Sequence, residues 1–153
     1  MKKEQWMYVD FEQLAIEKCH QLEQILDITM RQAQLLDADK FDLNLMLELT
    51  EKRQSCIEEV NRIDSAAEEL RTSMKEHAEQ AEEHPFMKDM GNRMSELLLK
   101  TISQEENNQQ RTLEKKLLLQ KNLQQQKSMS KNLVQYVDPY GSGSDGHYFD
   151  EKK

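Results

Sequence analysis

The residue types that could support catalysis or metal binding are few and widely spaced in this chain. Glu17 and His20 form an ExxH pair, the spacing that places a carboxylate and an imidazole on one helix face in carboxylate-bridged di-iron bundles. That chemistry needs a second ExxH pair and two further inward carboxylates, and the sequence contains no second ExxH. We therefore interpret His20 as an exposed histidine on a charged helix flank, with a metal-binding helical bundle as the minor alternative.

The other histidines and the two cysteines also lack a catalytic or metal-ligand spacing. His77 and His84 lie seven residues apart, hence on one helix face, close to several glutamates. This pair could form a pH-sensitive patch or an adventitious metal site, but a solvated helix end is the simpler interpretation. Cys19 and Cys56 form no CxxC motif, so we interpret them as reduced structural thiols.

Motifs for nucleotide binding and hydrolysis are missing from the sequence, which contains no P-loop, GxGxxG, GxSxG or HExxH pattern. The carboxylates are numerous, but nothing indicates a concave apolar pocket around them, so they do not indicate acid–base pairs. We therefore predict a protein that is not an enzyme and carries no cofactor. Because the sequence does not indicate enzymatic activity, we predict that the protein functions by binding another protein.

Composition and charge narrow the range of partners. The chain has 153 residues, of which 33% are charged and 37% apolar, and its formal net charge is −8. Nucleic acid and anionic membrane surfaces favour clustered lysines and arginines, so we predict neither as a partner. Apolar runs are too short to span a bilayer, and Glu4 and Asp10 interrupt any signal-peptide core, so we expect a cytoplasmic location without membrane insertion.

Hydrophobic periodicity predicts two long amphipathic helices that are joined by a short acidic turn. The first is expected over residues 10–37, with Asp10 as its N-cap, and the second over residues 40–83. In the second helix, apolar residues recur at alternating steps of three and four for about five heptads, with Arg53 and His77 out of character. So short a connection between two long helices predicts an antiparallel hairpin.

A third helix is expected after the break at Pro85, over residues 86–135. Its centre, residues 103–110, is wholly polar; we favour an exposed stretch of continuous helix over a loop, because no glycine or proline marks a turn there. The predicted fold is all-α: a single helical domain over residues 1–135, built as an antiparallel hairpin plus a long third helix in a coiled-coil-like bundle. Residues 136–153 have linker composition and are expected to form a flexible, disordered C-terminal tail.

Apolar residues of the third helix and an aromatic pair in the tail are the candidate partner-binding residues. Methionine-rich faces adapt to several partners, although core filling is the commoner role of such residues, and the sequence leaves both roles open. The candidates are Met87, Met90, Met94, Leu97, Leu98, Leu117, Leu118, Leu123, Tyr148 and Phe149. The lysines of the same helix form either a solvated flank or a docking strip for an acidic partner; they are Lys115, Lys116, Lys121, Lys127 and Lys131.

Four segments of the sequence resemble the FlgN/FliT type of flagellar export chaperone. They are residues 35–39 (LLDAD), 49–54 (LTEKRQ), 57–64 (IEEVNRID) and 148–153 (YFDEKK). In that family a short acidic turn follows the first helix, and a KRQ-like segment of the second helix precedes an Ile/Leu-x-x-Ile-Asp stretch. The length of the chain resembles the FlgN branch more than the shorter FliT branch.

The resemblance implies a cytoplasmic chaperone of the flagellar type III export system. Such a protein binds the terminal helical segment of a late axial subunit, from the hook–filament junction or the filament cap, and delivers it to the export gate or its ATPase. Which client is bound, which branch applies and whether the chain is a homodimer stay open. The alternative is a structural, homo-oligomeric coiled-coil or adaptor protein.

Overall fold

The structure, a computed structural model, describes the backbone of residues 2–137 and the side chains of residues 9–131 apart from residue 76. Over this range the chain forms helices without any strand, so the predicted all-α fold is confirmed. The helices are α1 (Lys2–Asp37), α2 (Leu43–Ser73), α3 (Lys75–Glu83) and α4 (Pro85–Val137). Most of the predicted tail, residues 138–153, lies outside the described residues.

The chain divides into two compact units. The first unit, residues 1–109, contains α1, α2, α3 and the first half of α4, and the second unit, residues 110–153, contains the rest of α4. Whether residues 1–135 act as a single domain, as the sequence predicts, stays a prediction.

Contacts between α1 and α2 show that these two helices are antiparallel. Lys18 Nζ lies 2.7 Å from Asp64 Oδ1, and further along α1 the Gln32 amide donates to Thr50 Oγ1 at 3.2 Å. Later residues of α1 therefore lie beside earlier residues of α2. The two helices are antiparallel, which confirms the predicted hairpin. The turn covers residues 38–42, and Asp42 caps α2 by accepting a hydrogen bond from the backbone N–H of Leu45 at 3.0 Å.

The start of α1 differs from the prediction. Asp10 was expected to be the N-cap, but it lies inside α1, which begins at Lys2. The residues before Asp10 include neither glycine nor proline, so nothing in the local sequence forces the helix to begin at the capping motif. The capping pattern was a wrong indication of the helix start.

The predicted second helix, residues 40–83, is interrupted once, at Met74. This residue has φ −136° and ψ 38°, outside the helical range, and its backbone N–H donates to the Arg71 carbonyl instead of continuing the α-helical pattern. Met74 is buried at this point, in one apolar cluster with Phe11 and Ala78. The heptad-like repeat continues across this point, so periodicity alone did not indicate the break.

The expected break at Pro85 is confirmed. α3 ends at Glu83, and Pro85 is the first residue of α4, where its missing N–H leaves no intrahelical bond unmade. His84 between them has φ −61° and ψ 134°, the extended conformation that a following proline favours. The backbone N–H of Phe86 donates to His84 Nδ1 at 3.3 Å.

Within the first unit, α4 runs parallel to α1. Arg93 lies 3.2 Å from Glu23, and further along both helices the Asn108 side chain donates to the Thr29 carbonyl at 2.9 Å. Because α1 and α2 are antiparallel, α4 is antiparallel to α2. The first unit is therefore a three-helix bundle in which α3 connects the end of α2 to the start of α4.

Two apolar clusters form the core of this bundle. The first consists of Phe11, Met74, Ala78 and Ala81, with Leu70 and Met87 packed against it. The second consists of Cys19, Leu22, Ile25 and Leu97, with Leu26, Cys56, Ile57, Val60, Met90 and Met94 packed against it. The second cluster takes side chains from α1, α2 and α4, so it fixes all three helices together.

A polar layer follows the second cluster along the bundle. Thr29, which is buried, accepts a hydrogen bond from Arg53 Nε on its hydroxyl at 3.3 Å and one from Asn108 on its carbonyl. Arg53 also forms an ion pair with Glu105, and the Gln104 amide donates to Asn108 Oδ1 at 3.0 Å. α1, α2 and α4 thus meet through complementary polar groups.

This layer corrects one expectation about the polar centre of α4. The helix is continuous through residues 103–110, as predicted, but the stretch is not simply exposed, because Asn108 is buried and Gln104 and Glu105 are half-buried. Partners on the neighbouring helices satisfy these groups: within the described part of the chain, every buried side-chain nitrogen and oxygen has a hydrogen-bond partner. Arg53 looked out of character in the α2 repeat because it belongs to this layer.

We predict that Glu105→Ala lowers the free energy of unfolding by about 1–2 kcal/mol, because it leaves the half-buried Arg53 without its carboxylate. Lys52→Ala is the matched control. It removes the neighbouring, more exposed pair with Glu48 and should change stability by less than about 0.5 kcal/mol. Urea unfolding followed by circular dichroism measures both, and equal losses would contradict a structural role for the layer.

Candidate functional site: the leucine segment of α4

The methionines at the start of α4 pack into the bundle. Met87 lies against the first apolar cluster, and Met90 and Met94 lie against the second. Leu97 is a member of the second cluster and only 4% exposed. The sequence left two roles open for the three methionines, and the structure shows them half-buried against the core clusters. Leu97 was expected to bind a partner but is buried in the second cluster.

The other candidates on α4 are exposed. Leu98, next to the buried Leu97, is 42% exposed, and in residues 110–131, which we call the leucine segment, each apolar side chain is 53–64% exposed. These side chains are Leu113, Leu117, Leu118, Leu119, Leu123 and Met129. Tyr148 and Phe149, the remaining candidates, lie outside the described residues.

The apolar side chains of the leucine segment point in several directions. At about 100° per residue, Leu113 and Leu117 share one face of the helix, while Leu118 lies about 100° further round and Leu119 further still. A helix with apolar groups on several faces is normally covered on more than one side. Three consecutive leucines at 117–119 cannot all face one core, which is the sequence signal that could have added Leu119 to the candidates.

Charge is divided unevenly along the chain. The leucine segment contains six basic residues and one acidic residue, Glu114, whereas residues 1–109 contain 24 acidic and 13 basic residues. The basic residues of the segment are Arg111, Lys115, Lys116, Lys121, Lys127 and Lys131. Exposed leucines with lysines among them form a surface that suits an acidic amphipathic partner.

A groove on the first unit lies between α1 and α4 and has a volume of about 510 Å³. It is lined by Leu26, Met30, Leu99, Lys100, Ser103 and Gln104. Apolar walls with one cation at the edge suit a few side chains of a bound peptide.

The ExxH pair makes ordinary surface contacts. Glu17 Oε2 lies 3.7 Å from the Arg62 guanidinium, and the His20 ring contacts the Gln24 amide at 3.1 Å. In the part of the chain that the structure describes, no group of three or more His, Cys, Asp and Glu side chains could hold a metal ion.

Both cysteines are free thiols with raised pKa values. Burial is the main cause for Cys19 and the cause for Cys56. For Cys19, the Glu23 carboxylate raises the pKa further, while the Arg93 guanidinium acts in the opposite direction. Both thiols are therefore protonated at neutral pH and poor nucleophiles.

Comparison of the chain with family models, curated proteins and solved structures finds no match. Among the described residues, no helix is both long enough and apolar enough to cross a membrane. The leucine segment is thus defined as a candidate site by its own exposure and charge.

We predict effects of very different size for two adjacent leucines of α4. Leu97→Ala should lower the free energy of unfolding by about 2–4 kcal/mol, because it opens a cavity in the second apolar cluster. Leu98→Ala is the matched control and should cost less than about 1 kcal/mol, because its side chain is already exposed. Urea denaturation measures both, and equal losses would contradict the orientation of α4 in the bundle.

We also predict that the two thiols make stability fall at alkaline pH. Their pKa values are raised in the folded state, so unfolded thiols lose protons first as the pH rises past about 8.5, which favours unfolding. The difference in unfolding free energy between about pH 7.5 and pH 9.5 should be smaller in the Cys19→Ala/Cys56→Ala variant than in the natural chain. An unchanged difference would show that the thiols do not contribute.

Proposed function

We propose that this protein is a cytoplasmic chaperone of flagellar type III export, which binds the terminal helix of a late axial subunit and delivers it to the export apparatus. The observation that supports this most is the leucine segment, whose six apolar side chains are 53–64% exposed. Exposed apolar surface of this kind marks binding sites for other proteins. The flagellar assignment is supported by the resemblance of residues 35–39, 49–54 and 57–64 to the chaperone family.

Binding would follow the physics of helix pairing. An amphipathic helix of the client places its apolar residues against i, i+4 pairs such as Leu113 and Leu117. Because Leu118 and Leu119 face other directions, the segment can contact two client helices or a helical hairpin. The lysines around these leucines then lie beside carboxylates of the client, which favours acidic clients over basic ones.

The core residues of α4 have a different part in this proposal. Met87, Met90, Met94 and Leu97 hold α4 to the hairpin, so they keep the helix in place and do not themselves contact the client. Tyr148 and Phe149 remain the proposed second contact, to the client or to the export gate or its ATPase.

The test is calorimetric titration of the protein with terminal helical fragments of the hook–filament junction and filament-cap proteins. We expect one-to-one binding to one fragment with a dissociation constant of about 1 μM or below. The Leu117→Gln/Leu118→Gln variant should weaken binding by at least about tenfold, since it removes apolar contact area while glutamine keeps a high helix propensity.

Ile16→Gln is the matched control, because it removes a 46% exposed apolar side chain from α1, outside the leucine segment. Its affinity for the fragment should equal that of the natural chain. If neither fragment binds to a folded sample, the proposal is wrong. It is also wrong if the Leu117→Gln/Leu118→Gln variant binds the fragment as tightly as the natural chain does.

The alternative, a structural homo-oligomeric coiled-coil or adaptor protein, is supported by the same exposed leucines, which could face copies of the chain. A tight oligomer that persists on dilution and binds no flagellar fragment would favour this alternative. Size-exclusion chromatography with light scattering over a dilution series distinguishes the two.

A further inference from the structure

The start of α2 carries a second exposed surface, which we call the hairpin patch. Its three apolar side chains are 44–58% exposed, and acidic residues surround them. The patch consists of Phe41, Leu43 and Leu47 with Asp39, Asp42 and Glu51. Residues 37–51 contain five acidic residues and one basic residue, Lys40. The hairpin patch therefore has the same kind of apolar surface as the leucine segment but the opposite charge.

One face of α2 and one face of α4 carry matching residues at the same spacing. Positions i, i+4, i+8 and i+11 share one side of a helix, and all eight side chains at these positions are exposed. On α2 these residues are Leu43, Leu47, Glu51 and Gln54. On α4 they are Leu113, Leu117, Lys121 and Gln124. The two faces agree at both leucines and at the glutamine, and they differ in the sign of the charge.

The matching residues of α2 and α4 lie opposite one another only when the two helices are aligned in parallel. With the helices side by side in the same direction, leucine meets leucine twice, Glu51 meets Lys121, and the two glutamine amides can exchange hydrogen bonds. In an antiparallel alignment the charged residues lie opposite leucines. Charge repulsion disfavours the pairing of two leucine segments, which are both basic, and the pairing of two hairpin patches, which are both acidic.

We propose that the leucine segment of a second copy of this chain packs in parallel along α2 over the hairpin patch, with Leu113 beside Leu43, Leu117 beside Leu47 and Lys121 beside Glu51. The protein self-associates through this contact, since both surfaces are exposed on the single chain. When two copies exchange segments reciprocally, the assembly closes as a dimer; when they do not, larger species form.

Sedimentation equilibrium of the full chain, at about 1–100 μM, tests the proposal. The expected result is self-association that weakens as salt is added, because the contact is charge-complementary. Glu51→Lys and Lys121→Glu should each weaken association on the order of tenfold by placing like charges together. Combined in one chain, the two substitutions restore the opposite charges and should return the association constant to within about threefold of the natural value.

Glu69→Lys is the matched control, since it makes the same charge change at an exposed position of α2 far from the patch. Its association should equal that of the natural chain. Circular dichroism checks that each variant is folded, and Leu43→Gln/Leu47→Gln provides a second, charge-neutral variant that should also weaken association.

A chain that stays monomeric at about 100 μM would overturn the proposal. So would a double charge exchange that fails to restore association, because the pairing of Glu51 with Lys121 would then be wrong. The hairpin variants leave the leucine segment unchanged, so client titration with the same proteins reports separately on the proposed chaperone function.

Discussion

The position of α4 in the bundle depends on the polar layer formed by Thr29, Arg53, Glu105 and Asn108. Apolar clusters hold helices together, but leucines and methionines tolerate sliding, whereas a buried hydrogen bond is satisfied in one register. Thr29 accepts from both Arg53 and Asn108, so a shift of α2 or α4 along α1 by one turn leaves buried groups without partners. The layer therefore sets which residues of α4 are buried in the first unit and which remain exposed.

That division explains how one helix can serve two purposes. Residues up to Asn108 use their α1-facing side chains to complete the bundle, and Met90, Met94 and Leu97 fill its core. The leucine segment, in the second unit, has exposed apolar side chains. Its sequence is basic, whereas the sequence of the first unit is acidic. Stability thus comes from the first half of α4, and the surface proposed for partners comes from the second half.

Periodicity predicted the helices and the antiparallel pairing of α1 with α2, because the apolar stripes are long and Pro85 marks one break clearly. It did not predict where α4 packs against the hairpin. It did not predict the interruption at Met74, because the apolar repeat continues across that residue. Nor did it predict that polar residues 104, 105 and 108 lie in an interface, because complementarity to Thr29 and Arg53 depends on contacts far apart in the sequence. The methionine-rich face was ambiguous for a related reason: a helix stripe looks the same whether a neighbouring helix or a partner covers it.

Amide hydrogen exchange of the chain, with and without the terminal helical fragment of a late axial subunit, measures whether the leucine segment is the surface that binds a client. We expect the fragment to slow exchange in residues 110–131 and to leave exchange in the core of α1 and α2 unchanged, because the bundle is already complete without a client. Slower exchange confined to the groove between α1 and α4, or no change anywhere in a sample that binds the fragment, would contradict the claim that the leucine segment is the binding surface.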